Sequence, residues 1–288
     1  MDSPTVLIDF SNLAHTCWHP AQAAEDAGRK AAEEHRLTCG LCRQNYEEGD
    51  GGAVDPGCES SPPQYDARKV LGTNLGLKFN SLTSILGQQP ERWTFVRDGH
   101  PEQKHRIYPA YKANRDRTKF DSRPLAEEWI RKHYPGARWA WNPSYEADDT
   151  IATLATKSPS VIVVSGDRDL WQLLRYPGCR IYSPAHKAWI GPQHLLKAFG
   201  HQDPNLVCLS KALWGDSGDN VTNAVPRMQK PLLPVMQVSD GTLMDFLEKT
   251  DQFQLSNRCL ELLQDNLRQV VMNWRLVSLK TDVPIIHQ

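Results

Sequence analysis

Apolar positions along the chain follow two periods. Thr5–Asp9 reads Thr-Val-Leu-Ile-Asp, a continuous apolar run that ends in an acid. Such a run predicts a buried strand. Trp93–Asp98 and Ser160–Ser165 read the same way, and Ser160–Ser165 (Ser-Val-Ile-Val-Val-Ser) is the clearest of the three. Ala137–Trp141 and Cys179–Tyr182 are shorter strand candidates. Between these runs the spacing is helical. Ser11 and Asn12 can cap a helix that begins near Leu13. Val70, Leu71, Leu75, Phe79, Leu82 and Leu86 predict a core helix over Tyr65–Leu86. Further helices are expected over Pro124–His133, Ser144–Lys157 and Asp169–Leu174, with Pro at the start of the first. From Pro192 onward only helical patterns remain, broken by Pro204, Pro226, Pro231 and Pro234. Strands alternating with helices predict an α/β fold with a mostly parallel sheet, and the C-terminal third is expected to be helical.

One stretch fits neither period. Residues 25–64 hold nine acids and four basic residues, and the second half is rich in Gly and Pro with almost no aliphatics. It has too little apolar surface for a core of its own and reads as an insertion whose first part can be helical. At 288 residues and 40% hydrophobic, the whole chain reads as a soluble protein with a full core. No apolar run is long enough for a membrane span, and none reads as a signal peptide. Seven cysteines argue for a reducing, cytoplasmic setting rather than a disulfide framework.

The net charge is −1, from 33 Lys+Arg and 34 Asp+Glu. Taken alone, that argues against a nucleic-acid partner. The charges, however, are segregated. Three predicted strands end at Asp9, Asp98 and Asp167. Glu-Ala-Asp-Asp supplies Glu146, Asp148 and Asp149, Ser-Gly-Asp-Arg-Asp adds Asp169, and Gly-Asp-Ser-Gly-Asp-Asn adds Asp216 and Asp219. Carboxyl ends of parallel strands form the ligand crevice of such sheets, so these acids are expected to converge. Converging carboxylates repel unless divalent cations lie among them, and all-oxygen donors favour Mg²⁺ or Mn²⁺. Two such ions suit phosphodiester hydrolysis. Arg97–Arg123 holds eight Lys/Arg against four acids, with Tyr108 and Tyr111 interleaved. Lys112 and Arg115 share a face if that segment is helical, which suits a phosphate grip. A solvated loop explains the same composition.

The segments Ile-Asp-Phe-Ser-Asn, Val-Arg-Asp-Gly, Tyr-Pro-Ala-Tyr-Lys-Ala-Asn-Arg, Glu-Ala-Asp-Asp, Ser-Gly-Asp-Arg-Asp and Gly-Asp-Ser-Gly-Asp-Asn occur in that order between Thr5 and Val225. The chain thereby resembles the bacterial and bacteriophage 5′-nucleases, the flap endonucleases and 5′→3′ exonucleases related to the nuclease domain of DNA polymerase I. The resemblance implies a PIN-like sheet flanked by helices, with a helical arch at about 99–123. It implies a nuclease core over residues 1–190 and a helical region over 191–288. The activity it implies is cleavage of 5′-flapped or 5′-ended DNA, and of RNA in RNA–DNA hybrids, by two Mg²⁺ or Mn²⁺ ions. The products expected are a 5′-phosphate and a 3′-hydroxyl. The resemblance assigns Asp9, Asp98, Glu146, Asp148 and Asp149 to a first metal group. Asp167, Asp169, Asp216 and Asp219 form a second, with some ligands acting through water. Asp148 and Asp167 are the acids expected to matter most for catalysis, with Lys112 and Arg115 polarising the scissile phosphate. Arg106 is an expected phosphate contact and Tyr108 a stacking residue. A stand-alone, monomeric enzyme acting with replication proteins is expected.

Two features depart from that family. Its hairpin, commonly Val-Pro-Gly-Ile-Gly-Pro-Lys-Thr-Ala with a bound K⁺, is replaced here by Val225-Pro226-Arg227-Met228-Gln229-Lys230-Pro231. The glycines are missing, and Pro231 and Pro234 are expected to break the following helix. The usual K⁺ and duplex grip are not expected, and Arg227 and Lys230 stand in as plain charges. The second departure is the insertion, where His35, Cys39, Cys42 and Cys58 have the makings of a structural zinc site. His15, Cys17 and His19 are alternative ligands, and unbound thiols or a redox role explain the same residues. Cys179, Cys208 and Cys259 read as core, as do Trp139, Trp141, Trp171, Trp189, Trp214 and Trp274. A PIN-type endoribonuclease and a non-catalytic protein that binds branched DNA are the alternative functions.

Overall fold

A computed structural model describes residues 3–39, 58, 62–63, 65–115 and 120–288. Cys42 and residues 116–119 lie outside the described set. Along the chain the elements run β1 (Thr5–Asp9), α1 (Phe10–Thr38), α2 (Ala67–Leu86), β2 (Trp93–Val96), α3 (Glu102–Ile107), α4 (Arg123–His133), β3 (Arg138–Trp141) and α5 (Ala147–Thr156). They continue with β4 (Val161–Val164), a 3₁₀ segment (Asp169–Arg175), β5 (Cys179–Ser183), β6 (Ala188–Trp189), α6 (Pro192–Phe199) and α7 (Leu206–Trp214). The C-terminal part holds α8 (Gln229–Gln237), α9 (Leu243–Thr250), α10 (Asn257–Asp265), α11 (Leu267–Val277) and β7 (Ile286–His287). The chain divides into two compact units. The first comprises Met1–Asn12, Glu91–Phe120 and Gly136–Gln288, and the second Leu13–Pro90 and Asp121–Pro135.

The first unit is built on one sheet with strand order β6-β5-β4-β1-β2-β3-β7. β1 runs parallel to both β2 and β4, with Leu7 opposite Thr94 on one side and Val163 on the other. β3 and β5 extend the parallel set outward. β2 and β4 are buried at every position, as expected of strands covered on both faces. Leu7, Val96, Val163 and Ile181 pack with Ile151 of α5 and Leu170 and Trp171 of the 3₁₀ segment. In β2, Trp93 and Phe95 alternate with Thr94 and Val96. Trp139 meets Phe95 at 5.2 Å and Phe10 at 5.1 Å between ring centroids. A second cluster gathers α7 to α11, with Leu209, Leu213, Val235, Phe246 and Val270 buried. Within it Asn273 is fully buried and donates to the carbonyls of Ala212 and Thr222.

Several expectations need correction. β6 and β7 were not expected, because two residues carry no readable period. Each pairs antiparallel at an edge of the sheet. The segment Asp169–Arg175 is 3₁₀ rather than α-helical, and α5 starts at Ala147 rather than Ser144. Pro231 and Pro234 do not break α8. Pro231 falls in the first turn, where N–H groups have no acceptor within the helix. Pro234 costs one bond to the carbonyl of Lys230, which is exposed and open to water, while Leu232, Val235 and Met236 remain buried. Among the described residues, 99–123 holds α3, turns over 108–115 and the start of α4. Cys179, Cys208 and Cys259 are buried, and burial raises all three thiol pKa values. Trp139 and Trp171 are buried, whereas Trp141, Trp189, Trp214 and Trp274 are half-buried. Arg97 lies over the Trp141 ring at 4.0 Å and Arg180 over Trp189 at 3.9 Å.

In the second unit α2 turns Leu71, Leu75, Phe79, Leu82 and Leu86 inward, while Val70 is half-buried. Asp66 caps its start by accepting from the Arg68 N–H, and Gly87 ends it in a left-handed conformation with φ of 67°. Phe79 stacks on Tyr134 at 4.9 Å and meets Trp129 edge-on at 5.6 Å. α1 runs unbroken through Pro20 to Thr38, so the first part of the supposed insertion continues a core helix. His15, Cys17 and His19 lie on that same helix, sixteen or more residues before His35. At 1.5 Å per residue this is a separation of about 24 Å or more, which excludes them as co-ligands of His35. Phe79→Ala is expected to destabilise the protein by about 3–5 kcal/mol in chemical unfolding, because a fully buried ring leaves a cavity between two aromatic partners. A cost below about 1 kcal/mol would mean that this cluster contributes little.

Candidate active site

The parallel sheet decides where the acids go. Asp9 ends β1, Asp98 follows β2 by two residues, Glu146 and Asp148 follow β3, and Asp167 follows β4. All of these strands run in one direction, so the acids share the carboxyl edge of the sheet. From β1 the chain passes to β2 and β3 on one side and to β4 and β5 on the other. The gap between β1 and β4 is therefore the switch point where such sheets bind ligands, and Asp9 and Asp167 flank it.

Local bonds fix each carboxylate. Asp9 accepts from the Asn12 N–H at 3.1 Å and from the Ser165 hydroxyl at 2.6 Å. Burial, with Asp98 and Asp167 nearby, raises its pKa to about 7 despite those bonds. Asp98 accepts from the Ala147 N–H at 2.9 Å and so helps start α5. Gly99 is required beside it, since a side chain there would run into the Asn142 carbonyl. Asp167 accepts from the Asp169 N–H at 2.8 Å. Burial raises its pKa, opposed by Lys211 and Lys112 and reinforced by Asp219 and Asp216. Asp148 is raised well above the usual carboxylate value by burial and by Glu146, with Lys112 and Lys104 offsetting only part of the shift.

Cations hold the remaining acids. Glu146 accepts from Lys104 at 2.6 Å, from the Tyr111 hydroxyl at 3.1 Å and from Lys112. Burial works against its charge, but Lys104 and Lys112 overcome this and lower its pKa to about 2. Asp219 pairs with Arg115 at 2.6 Å and lies 3.4 Å from Lys112. Asp169 and Asp216 share Lys211, the latter at 2.6 Å. Asp149 turns to the Lys280 N–H at 2.8 Å and to Lys104 at 3.8 Å, and so lines a separate small cavity with Ser144, Tyr145 and Arg275. An open pocket lined by Arg115, Asp167, Asp169, Lys211, Asp216 and Asp219 lies beside the switch point.

Lys112 and Arg115 reach the acids from turns rather than from a helix, whereas Lys104 reaches them from α3. Lys112 adopts a left-handed φ of 55°. Its N–H donates to the Asp219 carbonyl at 3.0 Å, Asn114 donates to the Ser217 carbonyl at 2.7 Å, and Asn220 donates to the Ala110 carbonyl at 2.7 Å. The Gly-Asp-Ser-Gly-Asp-Asn loop thus straps 110–114 across the site. Gly215 is required there, with φ of 76° and the Val221 carbonyl 2.5 Å from where a Cβ would be. Burial opposes the charge on Lys112, but Glu146, Asp148 and Asp219 raise its pKa.

Not every expected residue joins this group. Arg106 is exposed and pairs with Glu102 at 3.5 Å. Tyr108 is half-buried against the C-terminal helical cluster. Arg227 and Lys230 are exposed on the turn before α8 and on its first turn. The sequence reading missed Lys104, Tyr111, Ser165 and Lys211 as site residues. Lys104 was visible only as one charge among the eight of the basic segment, and Lys211 as a charge within an ordinary helical stretch. Ser165 was visible as the residue closing the clearest strand.

Residues 63–200 match the model of the 5′-3′ exonuclease N-terminal resolvase-like domain. The thermostable DNA polymerase I of Thermus thermophilus is 30% identical over 190 residues, which cover 64% of this chain and 22% of the polymerase. DNA polymerase I of Lactococcus lactis is 28% identical over 238 residues, 77% of this chain and 26% of that one. Over residues 63–200 the chain is similar to the 5′-3′ exonuclease family. It spans about a fifth to a quarter of the length of the polymerases it matches. The fold also resembles a bacteriophage T5 flap endonuclease solved with DNA and metal ions. The TM-score is 0.59 at 15% identity, over 95% of this chain and 88% of that one. A T5 5′-exonuclease solved with zinc gives 0.60 at 16% identity, over 96% and 90%. Arg227 takes the place of the first hairpin glycine of the family pattern, and its φ is 65°, in the left-handed region that glycine favours.

The donor set fits divalent cations. Five of the nine carboxylates pair with four cationic side chains, Lys104, Lys112, Arg115 and Lys211, and burial with mutual repulsion pushes Asp9, Asp148 and Asp167 towards the neutral form. A carboxyl group with a raised folded-state pKa contributes its stability in full below the unfolded-state value near 4, and loses it as pH rises through the folded value, here about 7 for Asp9. The depressed groups Glu146 and Asp216 change protonation below pH ~4.5 and do not affect this window. Without divalent ions, stability is therefore expected to fall between about pH 5.5 and 8. Added Mg²⁺ is expected to raise the melting temperature more at the upper end. Melts in EDTA and in Mg²⁺ across that range measure both. A Mg²⁺ increment independent of pH would contradict the assignment.

Proposed function

We propose that this chain is a metal-dependent 5′-nuclease that hydrolyses phosphodiester bonds of 5′-flapped or 5′-ended DNA. Products would carry a 5′-phosphate and a 3′-hydroxyl, and RNA–DNA hybrids are a further substrate class to test. The observation that carries this reading is the delivery of Lys112 and Arg115 to the acidic edge of the sheet by the strapped 110–114 turn. An acidic metal cluster alone would serve many hydrolases, whereas fixed cations above it suit an anionic substrate. Residues 1–190 act as the nuclease core and 191–288 as the helical region that supplies Asp216 and Asp219.

Two Mg²⁺ or Mn²⁺ ions would be held by Asp9, Asp98, Asp148 and Asp167, with Glu146, Asp169, Asp216 and Asp219 as direct or water-bridged partners, whereas Asp149 is turned to Lys280 and Lys104. Bound there, such ions lower the pKa of water and offset charge on phosphate oxygens. The protein's own groups supply the rest. Lys112 stays protonated because Glu146, Asp148 and Asp219 surround it, so a fixed positive charge awaits a phosphate oxygen. Arg115, half-exposed and tied to Asp219, presents a planar donor fork towards the pocket. Tyr111 bonds both Glu146 and Asp219, which keeps these acids and Lys112 in one geometry. Lys104 fixes Glu146 from the side away from Lys112 and keeps it anionic. Arg227 and Lys230 would meet duplex phosphates as exposed charges. Among the described residues, no helix is long and apolar enough to cross a membrane.

Incubation with 5′-labelled flap, nicked-duplex and RNA–DNA substrates, in Mg²⁺ or EDTA, tests the proposal. Cleavage is expected only with the metal. Asp148→Ala and Asp167→Ala should reduce it to background, and Lys112→Ala should reduce it by at least about 100-fold. Absence of metal-dependent cleavage, or cleavage unaffected by the two Asp variants, would refute it. Preference for single-stranded RNA without dependence on a 5′ end would point to the endoribonuclease instead. Tight flap binding without turnover in any metal would point to the binding protein.

A further inference from the structure

A second cluster of metal-ligating side chains belongs to the second unit. His35 is in the last turns of α1 and Cys39 follows the helix end. The Cys39 N–H donates to the His35 carbonyl at 2.8 Å, which continues the helical geometry and puts both side chains on one face. Cys58 returns to that face from the far end of the insertion and is buried. The His35 Nε2 lies 3.2 Å from the Cys58 Sγ, and the Cys39 and Cys58 Sγ atoms are 3.8 Å apart. One donor atom from each of the three lies within 4.8 Å of the other two.

These spacings resemble the edges of a tetrahedral zinc site. With Zn–S near 2.3 Å and Zn–N near 2.0 Å, a tetrahedron has S···S edges of about 3.8 Å and S···N edges of about 3.5 Å. A disulfide would instead need sulfurs about 2.05 Å apart. Two thiolates and an imidazole are the donors that select zinc over the hard cations expected at the acidic edge. The sequence supplies the need for such a site. Between α1 and α2 the chain is polar, acidic and almost without aliphatics, so it cannot close around an apolar core. A buried cysteine in such a stretch needs another reason to be buried.

We propose that His35, Cys39 and Cys58 supply three of the four ligands of a structural zinc site that ties the end of α1 to the return of the chain towards α2. Binding releases the two thiol protons to solvent, and His35 coordinates as the neutral imidazole. The site is independent of the nuclease reading, since it shares no residue with the acidic edge.

Protein purified without a metal-affinity step is expected to carry about one zinc per chain, measured by elemental analysis. Replacement by Co²⁺ is expected to give the thiolate-to-cobalt charge-transfer absorption, which all-oxygen ligands cannot produce. Cys39→Ser and Cys58→Ser should each lose the zinc and the absorption. Asp148→Ala and Asp167→Ala should keep both, so failure of this proposal is separable from failure of the nuclease assignment. Zinc well below one per chain in the wild-type protein would overturn the proposal. So would a cobalt band that survives Cys58→Ser, or a Cys39–Cys58 disulfide found by mass spectrometry of alkylated peptides. The wild-type stoichiometry decides the matter even if a variant fails to fold.

Discussion

Mutual repulsion of carboxylates at one edge of a parallel sheet is the constraint on which the rest depends. Five parallel strands bring their carboxyl ends together, so Asp9, Asp98 and Asp167 are gathered by topology rather than by sequence proximity. The edge remains more negative than four cations can neutralise. Burial alone would protonate much of it, and the raised pKa values of Asp9, Asp148 and Asp167 record that tendency. Lys104, Lys112, Lys211 and Arg115 hold five of the acids in ion pairs. The same residues that relieve repulsion also set the orientation of the site, because each cation bridges parts of the chain far apart in sequence. Lys104 and Lys112 link the basic segment to Glu146, and Arg115 links it to Asp219.

The parallel sheet and its acidic edge were legible because both are local signals. A short apolar run leading into an acid is a strand with its charge at the exit, and three such runs account for β1, β2 and β4, while shorter apolar runs mark β3 and β5. Partners were less legible. Lys104 looked no different in sequence from Arg106, two residues away. Yet Lys104 is buried against Glu146, while Arg106 is exposed beside Glu102. What separates them is the direction each takes from a six-residue helix, which composition does not encode. β6 and β7 escaped notice because two-residue edge strands are defined by what they pair with. Pro231 and Pro234 misled for a related reason. Their cost depends on position within a helix and on whether the orphaned carbonyl meets water, and both terms are small in α8.

The net charge of −1 is similarly a poor summary. It averages an acidic edge, an acidic stretch between α1 and α2, and a basic segment from which Lys104, Lys112 and Arg115 pair with the acids. Phosphate recognition depends on local potential. Divalent ions at the edge would reverse its sign where Lys112 and Arg115 already stand, so a neutral chain can still present a positive site.

The altered hairpin can therefore change substrate grip without disturbing the chemistry. Its first residue, Arg227, keeps the left-handed backbone that a glycine would adopt freely, so the turn is retained although its glycines are gone. The Gly-Asp-Ser-Gly-Asp-Asn loop is secured upstream of that turn. Asp216 and Val221 exchange two backbone hydrogen bonds, and Asn273 ties the following Thr222 carbonyl to α11 and α7. These bonds precede Pro226, so Asp216 and Asp219 do not depend on the hairpin for their position. If Arg227 and Lys230 meet duplex phosphates as proposed, such side-chain contacts would make less geometric demand and be more sensitive to salt than backbone N–H groups.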